Sequence, residues 1–204
     1  ARFVSVIEMS VIETHSEEET IEAGRRIAGV LPRRAVVLLI GNLGAGKTTL
    51  AKGIISGLGA AEPDEVSSPT FTLMHEYQNP VTGHRVYHID LYRLERPEEV
   101  ATLGLDEIFD REAVVLIEWG ERFPQLLPTD RIEVRLETPE PEQRRISLTG
   151  HFRIYSRLPA PFSFRVPRTI QPLKICSNVC VLCCAKPNTR SSTFRPICHD
   201  RGAS

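Results

Sequence analysis

Eight consecutive residues, Gly41-Asn42-Leu43-Gly44-Ala45-Gly46-Lys47-Thr48, fit the spacing G-x-x-x-x-G-K-[ST] at every fixed position. Glycines at that spacing let successive backbone N–H groups curl around an anion, and a helix that starts there adds unpaired donors and a positive dipole end. A lysine at the seventh position reaches the β and γ phosphates of a nucleotide, and the hydroxyl after it is a magnesium ligand. The flanks agree with this. Ala35–Ile40 is a six-residue apolar run that reads as a buried strand, and Thr49–Ile55 reads as the first turns of a helix. Strand, glycine loop and helix in this order are the context in which the pattern is a phosphate site. The expected cofactors are ATP and Mg²⁺, held by residues 42–49 (Asn42, Leu43, Gly44, Ala45, Gly46, Lys47, Thr48 and Thr49).

A phosphate cradle alone does no chemistry. Hydrolysis or transfer also needs an acid at the metal and a group that places the nucleophile. Val114-Val115-Leu116-Ile117 is an apolar run closed by Glu118, a strand that delivers a carboxylate at its end. Beside the loop's own strand, Glu118 would face the metal or its water. The alternative is an acid that simply meets solvent. Asp90 is the second candidate. In Tyr87-His88-Ile89-Asp90-Leu91-Tyr92-Arg93, strand periodicity puts His88, Asp90 and Tyr92 on one face and Tyr87, Ile89 and Leu91 on the other. Asp90 can then orient water in a cleft, while His88 is read as a structural histidine. Thr70, in Ser67-Ser68-Pro69-Thr70, carries a hydroxyl where a segment that senses the γ-phosphate would lie, or where an ordinary Ser/Pro loop would.

The elements that must hold these groups follow from patterning. Ser16-Glu17-Glu18-Glu19 is a capping box, with Ile21, Gly24, Ile27, Ala28 and Leu31 at helical spacing behind it and Pro32 closing the helix. The helix after the glycine loop ends near Gly57 and Gly59. Thr70–Tyr77 and His84–Leu94 read as strands of a hairpin around Asn79–Gly83. A short helix starts at Arg96-Pro97-Glu98-Glu99. Ala113–Trp119 is a further buried strand, Arg131–Glu137 alternates strictly, and Arg145–Thr149 repeats that pattern more weakly. The fold class is α/β, P-loop NTPase-like, with a mainly parallel sheet flanked by helices and a β-hairpin insertion.

Composition divides the 204 residues in two. Residues 1–150 carry 16 Lys and Arg against 25 Asp and Glu, a net of −9, whereas residues 151–204 carry nine against one acid, a net of +8. All five cysteines fall in the second part. An acidic domain is a poor non-specific binder of nucleic acid. No run of about 18 apolar residues is present, as a membrane span would need, and the cytoplasm is the expected compartment. The expected division is 1–13 as an N-terminal extension (with Met9 a candidate start), 14–150 as the ATPase domain, and 151–204 as a basic tail read as disordered.

Four segments together are similar to the TsaE (YjeE) family of bacterial P-loop ATPases. They are Gly41–Leu50, Ser68-Pro69-Thr70-Phe71-Thr72-Leu73, His88–Leu94 and Leu116-Ile117-Glu118-Trp119, and the resemblance runs from about Thr14 to Gly150. Asn42 stands where that family usually has Asp. The resemblance implies an accessory role in forming N6-threonylcarbamoyladenosine at position 37 of tRNA. ATP binding and slow hydrolysis would support turnover of a TsaD–TsaB assembly, with tRNA met only through that complex. It also implies functional positions for Asp90 and Trp119, a metal-linked role for Glu118, and a nucleotide border at Ser16. Lys47, Asp90 and Glu118 are then the catalytic set, with Thr48 and Glu118 at the metal. No arginine finger is evident; Arg93, Arg122 or a partner's residue are the candidates.

Two other readings compete: a small-molecule kinase, and a nucleotide-dependent binding module without required hydrolysis. The segment after Pro97 (Glu98, Glu99, Asp106, Glu107, Asp110, Glu112) is too acidic for a kinase's phosphate lid. In the tail, Cys180-x-x-Cys183 and Cys198-His199 are a weak zinc pattern, since a second C-x-x-C is lacking.

Overall fold

The computed structural model describes residues 3–7 and 11–154, so the tail cysteines lie outside the described residues. Eight strands form one sheet in the order β1-β8-β7-β3-β6-β5-β4, with β2 also paired to β8. The four central strands, β7 (Ile132–Glu140), β3 (Ala35–Ile40), β6 (Ala113–Glu118) and β5 (Arg85–Asp90), run parallel. The flanks are antiparallel: β4 (Met74–Gln78) on β5, and β8 (Gln143–Ile154) on β7, with β1 (Phe3–Ile7) and β2 (Val11–Thr14) on β8. The sheet is thus mixed, with an α/β parallel centre and the expected hairpin at one edge.

All six residues of β3 are buried. Val37 and Leu39 pack on one side of the sheet, and Val36, Leu38 and Ile40 on the other. A continuous apolar run buried on both faces is what an interior parallel strand requires. Helices α1 (Glu17–Ala28) and α2 (Lys47–Gly57) cover the first face. The short helices α3 (Pro97–Ala101) and α4 (Leu105–Phe109), with Phe123 and Leu127, cover the second.

Helix α1 is capped by Ser16, whose Oγ accepts from the Glu19 N–H at 3.1 Å, but the return bond of the expected capping box goes one residue further back, Glu19 Oε2 accepting from the His15 N–H at 2.7 Å rather than from Ser16. Its buried stripe, Thr20, Ala23, Gly24, Ile27 and Ala28, faces α2. The two helices touch through glycines. A Cβ on Gly53 would lie 2.0 Å from Ile21 O, and one on Gly24 2.5 Å from Leu50 O.

Several boundaries differ from the sequence expectation. Strand β4 begins at Met74, not Thr70, because Pro69–Leu73 closes a turn, with the Leu73 N–H donating to Pro69 O at 2.6 Å and Leu73 at φ 67°. Strand β5 stops at Asp90, whose Oδ1 accepts from the Tyr92 N–H at 2.9 Å. That side-chain turn ends the ladder. Helix α4, entered through Gly104 at φ 64°, and the edge strands β1 and β2 have no counterpart in the sequence reading.

The glycine seam makes a direct prediction. Gly53→Ala is destabilising by about 1–3 kcal/mol through overpacking, despite alanine's better helix propensity. Gly29→Ala is close to neutral, because its Cβ would meet only Arg26 O at 3.4 Å with no positive φ. Urea denaturation of both variants checks the contrast.

Candidate functional site

The site forms where three parallel strands end side by side. Leu39 pairs with Glu118 across β3–β6, and Glu118 pairs with Asp90 across β6–β5. Two residues past Leu39 the glycine loop begins. The loop needs its glycines: Gly44 and Gly46 sit at φ 78° and 95°, and a Cβ on Gly41 would lie 2.7 Å from Leu136 O. Asn42 O accepts from the Ala45 N–H at 3.1 Å, and buried Ala45 anchors the turn. The Asn42 contribution is therefore a backbone carbonyl, so the loop's fold does not depend on an Asp at this position. Leu43 points outward, 74% exposed. Thr48 and Thr49 follow in the first turn of α2.

Lys47 is buried, and its Nζ donates to Gly41 O at 2.7 Å and Asn42 O at 3.0 Å. It also lies 3.9 Å from the centre of the Trp119 ring. Burial pulls this ammonium below the ordinary lysine range, and Glu118, Glu121 and Asp90 pull it back. Trp119 adopts φ 63°, an uncommon conformation for a bulky residue, and stacks obliquely on Tyr92 at 5.1 Å. Gly120 makes the turn beyond it possible, since a Cβ there would lie 2.5 Å from Leu38 Cδ1.

Glu118 is buried, and its Oε1 accepts from Thr48 Oγ1 at 2.9 Å and meets His88 Nε2 at 2.9 Å. Asp90, equally buried, accepts from Thr70 Oγ1 at 2.5 Å and Ser68 Oγ at 3.2 Å through Oδ2. The Ser68–Thr70 segment is therefore tied to the strand-end acid. Lys47, Thr48, Asp90, Glu118, Thr70 and Trp119 all converge. Ser16 does not join them: its hydroxyl caps α1, beside α2, where Glu17 pairs with Lys52 at 3.1 Å.

Hard oxygen donors beside a phosphate cradle suit Mg²⁺, which takes one or two protein oxygens and completes its shell with phosphate and water. The Thr48 hydroxyl and Glu118 carboxylate fit that demand. Among the described residues no cluster of three or more His, Cys, Asp or Glu is placed to hold a metal by itself. The arrangement can grip a polyphosphate by backbone donors and Lys47, and present two carboxylates to the metal and the attacking water.

The family model for "Threonylcarbamoyl adenosine biosynthesis protein TsaE" matches residues 14–146. The chain belongs to the TsaE family. It is 40% identical over 138 residues to the tRNA threonylcarbamoyladenosine biosynthesis protein TsaE of Rickettsia bellii, covering 68% of this chain and 93% of that one. The protein of the same name from Haemophilus influenzae is 35% identical over 152 residues, covering 72% and 93%. The crystal structure of Bacillus subtilis YdiB superposes with a TM-score of 0.57 at 32% identity, covering 71% of this chain and 86% of that one. The TsaE match spans every motif of the site, from Gly41 to Trp119.

Two residues at this TsaE site, Arg144 and Glu121, escaped the sequence reading. Arg144 Nε lies 3.8 Å from where a Cβ on Gly46 would stand, and nothing in its local pattern marks it. Ser68 was legible as part of the Ser67–Thr70 segment and of the Ser68–Leu73 motif, without a role of its own. Glu121 lies in a cavity of about 500 Å³ that Asn42, Trp119, Arg135 and Arg145 also line. Its Oε2 is buried without a partner among the described residues. Burial pushes the Glu121 carboxyl above the ordinary range, against the pull of Lys47 and the arginines.

An acid whose folded value lies above its unfolded one favours the protonated folded state. Its contribution to stability therefore falls as pH rises through that window. Glu121→Gln removes the effect. Thermal melting is expected to show equal stability of the two proteins below about pH 4, with the Glu121→Gln variant gaining on the wild type as pH rises toward neutral.

Proposed function

We propose that this TsaE family member is an ATP-binding, slowly hydrolysing component of tRNA N6-threonylcarbamoyladenosine biosynthesis, which supports turnover of a TsaD–TsaB assembly. One observation carries the reading most directly: the Thr48 hydroxyl and the Glu118 carboxylate meet at 2.9 Å at the mouth of a glycine loop that Lys47 already spans. Residues Gly44–Thr48 would hold the phosphates by backbone N–H groups, and Lys47 would offset charge that builds on the transferred phosphoryl group. Mg²⁺, held by Thr48 and Glu118, would supply neutralisation of the β and γ oxygens. Asp90, fixed by Ser68, Thr70 and its own turn, would orient the attacking water. Trp119 would keep Lys47 extended and dry.

The reaction is proposed to be slow because the two arginines named as candidate fingers are engaged elsewhere. Arg122 donates to Tyr92 O at 2.7 Å, and Arg93 lies over the Phe71 ring at 4.8 Å. A partner is therefore the natural source of further stabilisation. The surface supports one. Among the described residues, three of six exposed large apolar side chains (Leu43, Phe71 and Tyr92) belong to the segments that carry the site. TsaD–TsaB is the proposed occupant, with tRNA reached only through it, and the cytoplasm the proposed compartment. Among the described residues no helix is long and apolar enough to cross a membrane.

A kinase reading is disfavoured by packing. The segment after Pro97 is not a free lid: Val100, Leu105 and Ile108 are buried against the sheet.

Phosphate release from Mg-ATP, with and without purified TsaD–TsaB, is the decisive assay. Expected are slow release alone, faster release with the partners, and background release from Lys47→Ala. A phosphorylated small molecule would favour the kinase. Partner binding supported equally by a non-hydrolysable analogue, with no turnover, would favour a binding module.

A further inference from the structure

His88 takes no part in the chemistry proposed above, yet it is the most deeply buried residue of the site, with no exposure at all. It stands on β5 two residues before Asp90, one pleat deeper on the same face. Its direct partner across β6 is Leu116, so Glu118 is its diagonal neighbour. The imidazole reaches that neighbour, with Nε2 2.9 Å from Glu118 Oε1. The other nitrogen, Nδ1, is buried and has no partner among the described residues.

That pattern is hard to explain by packing. A leucine would suit the apolar wall around Val86 and Leu116 and would leave no orphaned nitrogen. The geometry also selects a tautomer. With the proton on Nδ1, a lone pair would face the carboxylate oxygen at hydrogen-bond distance, and an N–H would be buried unpaired. With the proton on Nε2, the ring donates to Oε1, and only an acceptor is left without a partner.

We propose that His88 is a positioning residue for Glu118: as the Nε2–H tautomer it pins Oε1 from below while Thr48 holds the same atom from the loop side, so that Oε2 is presented to the metal. Among the described residues Oε2 carries no protein hydrogen bond. If the Thr48 hydroxyl were to turn toward a metal, His88 would be the donor left to hold Oε1. Partners in this relation to a metal ligand commonly change metal affinity when removed. The inference rests on the reading of Glu118 as the metal-linked acid.

The test is Mn²⁺ affinity of the ATP-bound protein, read by electron paramagnetic resonance, beside metal-free ATP binding followed by fluorescence of Trp119, the chain's single tryptophan. His88→Leu is expected to weaken Mn²⁺ binding by about 10- to 100-fold, with metal-free ATP affinity and melting temperature near wild type. His88→Gln, whose amide nitrogen can occupy the Nε2 position, is expected to recover most of that loss. His88→Asn, which fills the space but falls short of Oε1, is expected to behave as the leucine variant and serves if the latter does not fold. Unchanged Mn²⁺ affinity in His88→Leu or His88→Asn would overturn the inference, provided that Glu118→Gln in the same assay weakens it. If Glu118→Gln also leaves Mn²⁺ affinity unchanged, the metal reading of Glu118 falls and this inference with it.

Discussion

The site depends on a matter of register. In a parallel sheet, neighbouring strands end on the same side, and their last residues stand next to one another. Here Leu39, Glu118 and Asp90 occupy one row across β3, β6 and β5. A slip of one residue in β6 would turn Glu118 to the opposite face and bring Ile117 into its place. All six residues of β3 and all six of β6 are buried and their alternate side chains fill both cores. A slip would therefore carry Glu118 into an apolar core without Thr48 and His88, its partners at 2.9 Å in the present register.

That constraint is matched by where the fold accepts buried polarity. Six polar or charged residues are buried among the described ones, and four of them (Lys47, His88, Asp90 and Glu118) belong to the site. The other two, Thr14 and Thr20, satisfy each other at 2.9 Å. One ammonium and two carboxylates in a shared dry space lower one another's cost, and each would be expensive alone. Glycines serve the same end. Gly24 and Gly53 bring α1 against α2, which sets the axis along which α2 presents Lys47 and Thr48.

Much of this was legible in the sequence, for identifiable reasons. The glycine loop and its flanks announce themselves because the chemistry fixes residue types at fixed spacing. Glu118 was legible because an apolar run long enough for an interior strand closed on an acid. Asp90 was legible from period-two alternation. What escaped depends on contacts distant in sequence. The contact of His88 with Glu118 shows only when β5 and β6 are aligned. Arg144 reaches the loop from a hairpin more than ninety residues on. The strand boundaries at Thr70 and Leu94 were overrun because β-propensity there is real, while hydrogen bonds from Ser68, Thr70 and the Tyr92 N–H to Asp90 decide otherwise. The edge strands β1 and β2 lie in a stretch whose apolar residues show no distinctive period.

Lys47, Thr48 and Glu118 are proposed to form one nucleotide and metal site. Calorimetric titration of the protein with ATP, in the presence and absence of Mg²⁺, is the measurement to make. A single site whose affinity tightens when Mg²⁺ is supplied is the expected result. Absence of binding, or binding indifferent to Mg²⁺, would mean that these residues do not form such a site.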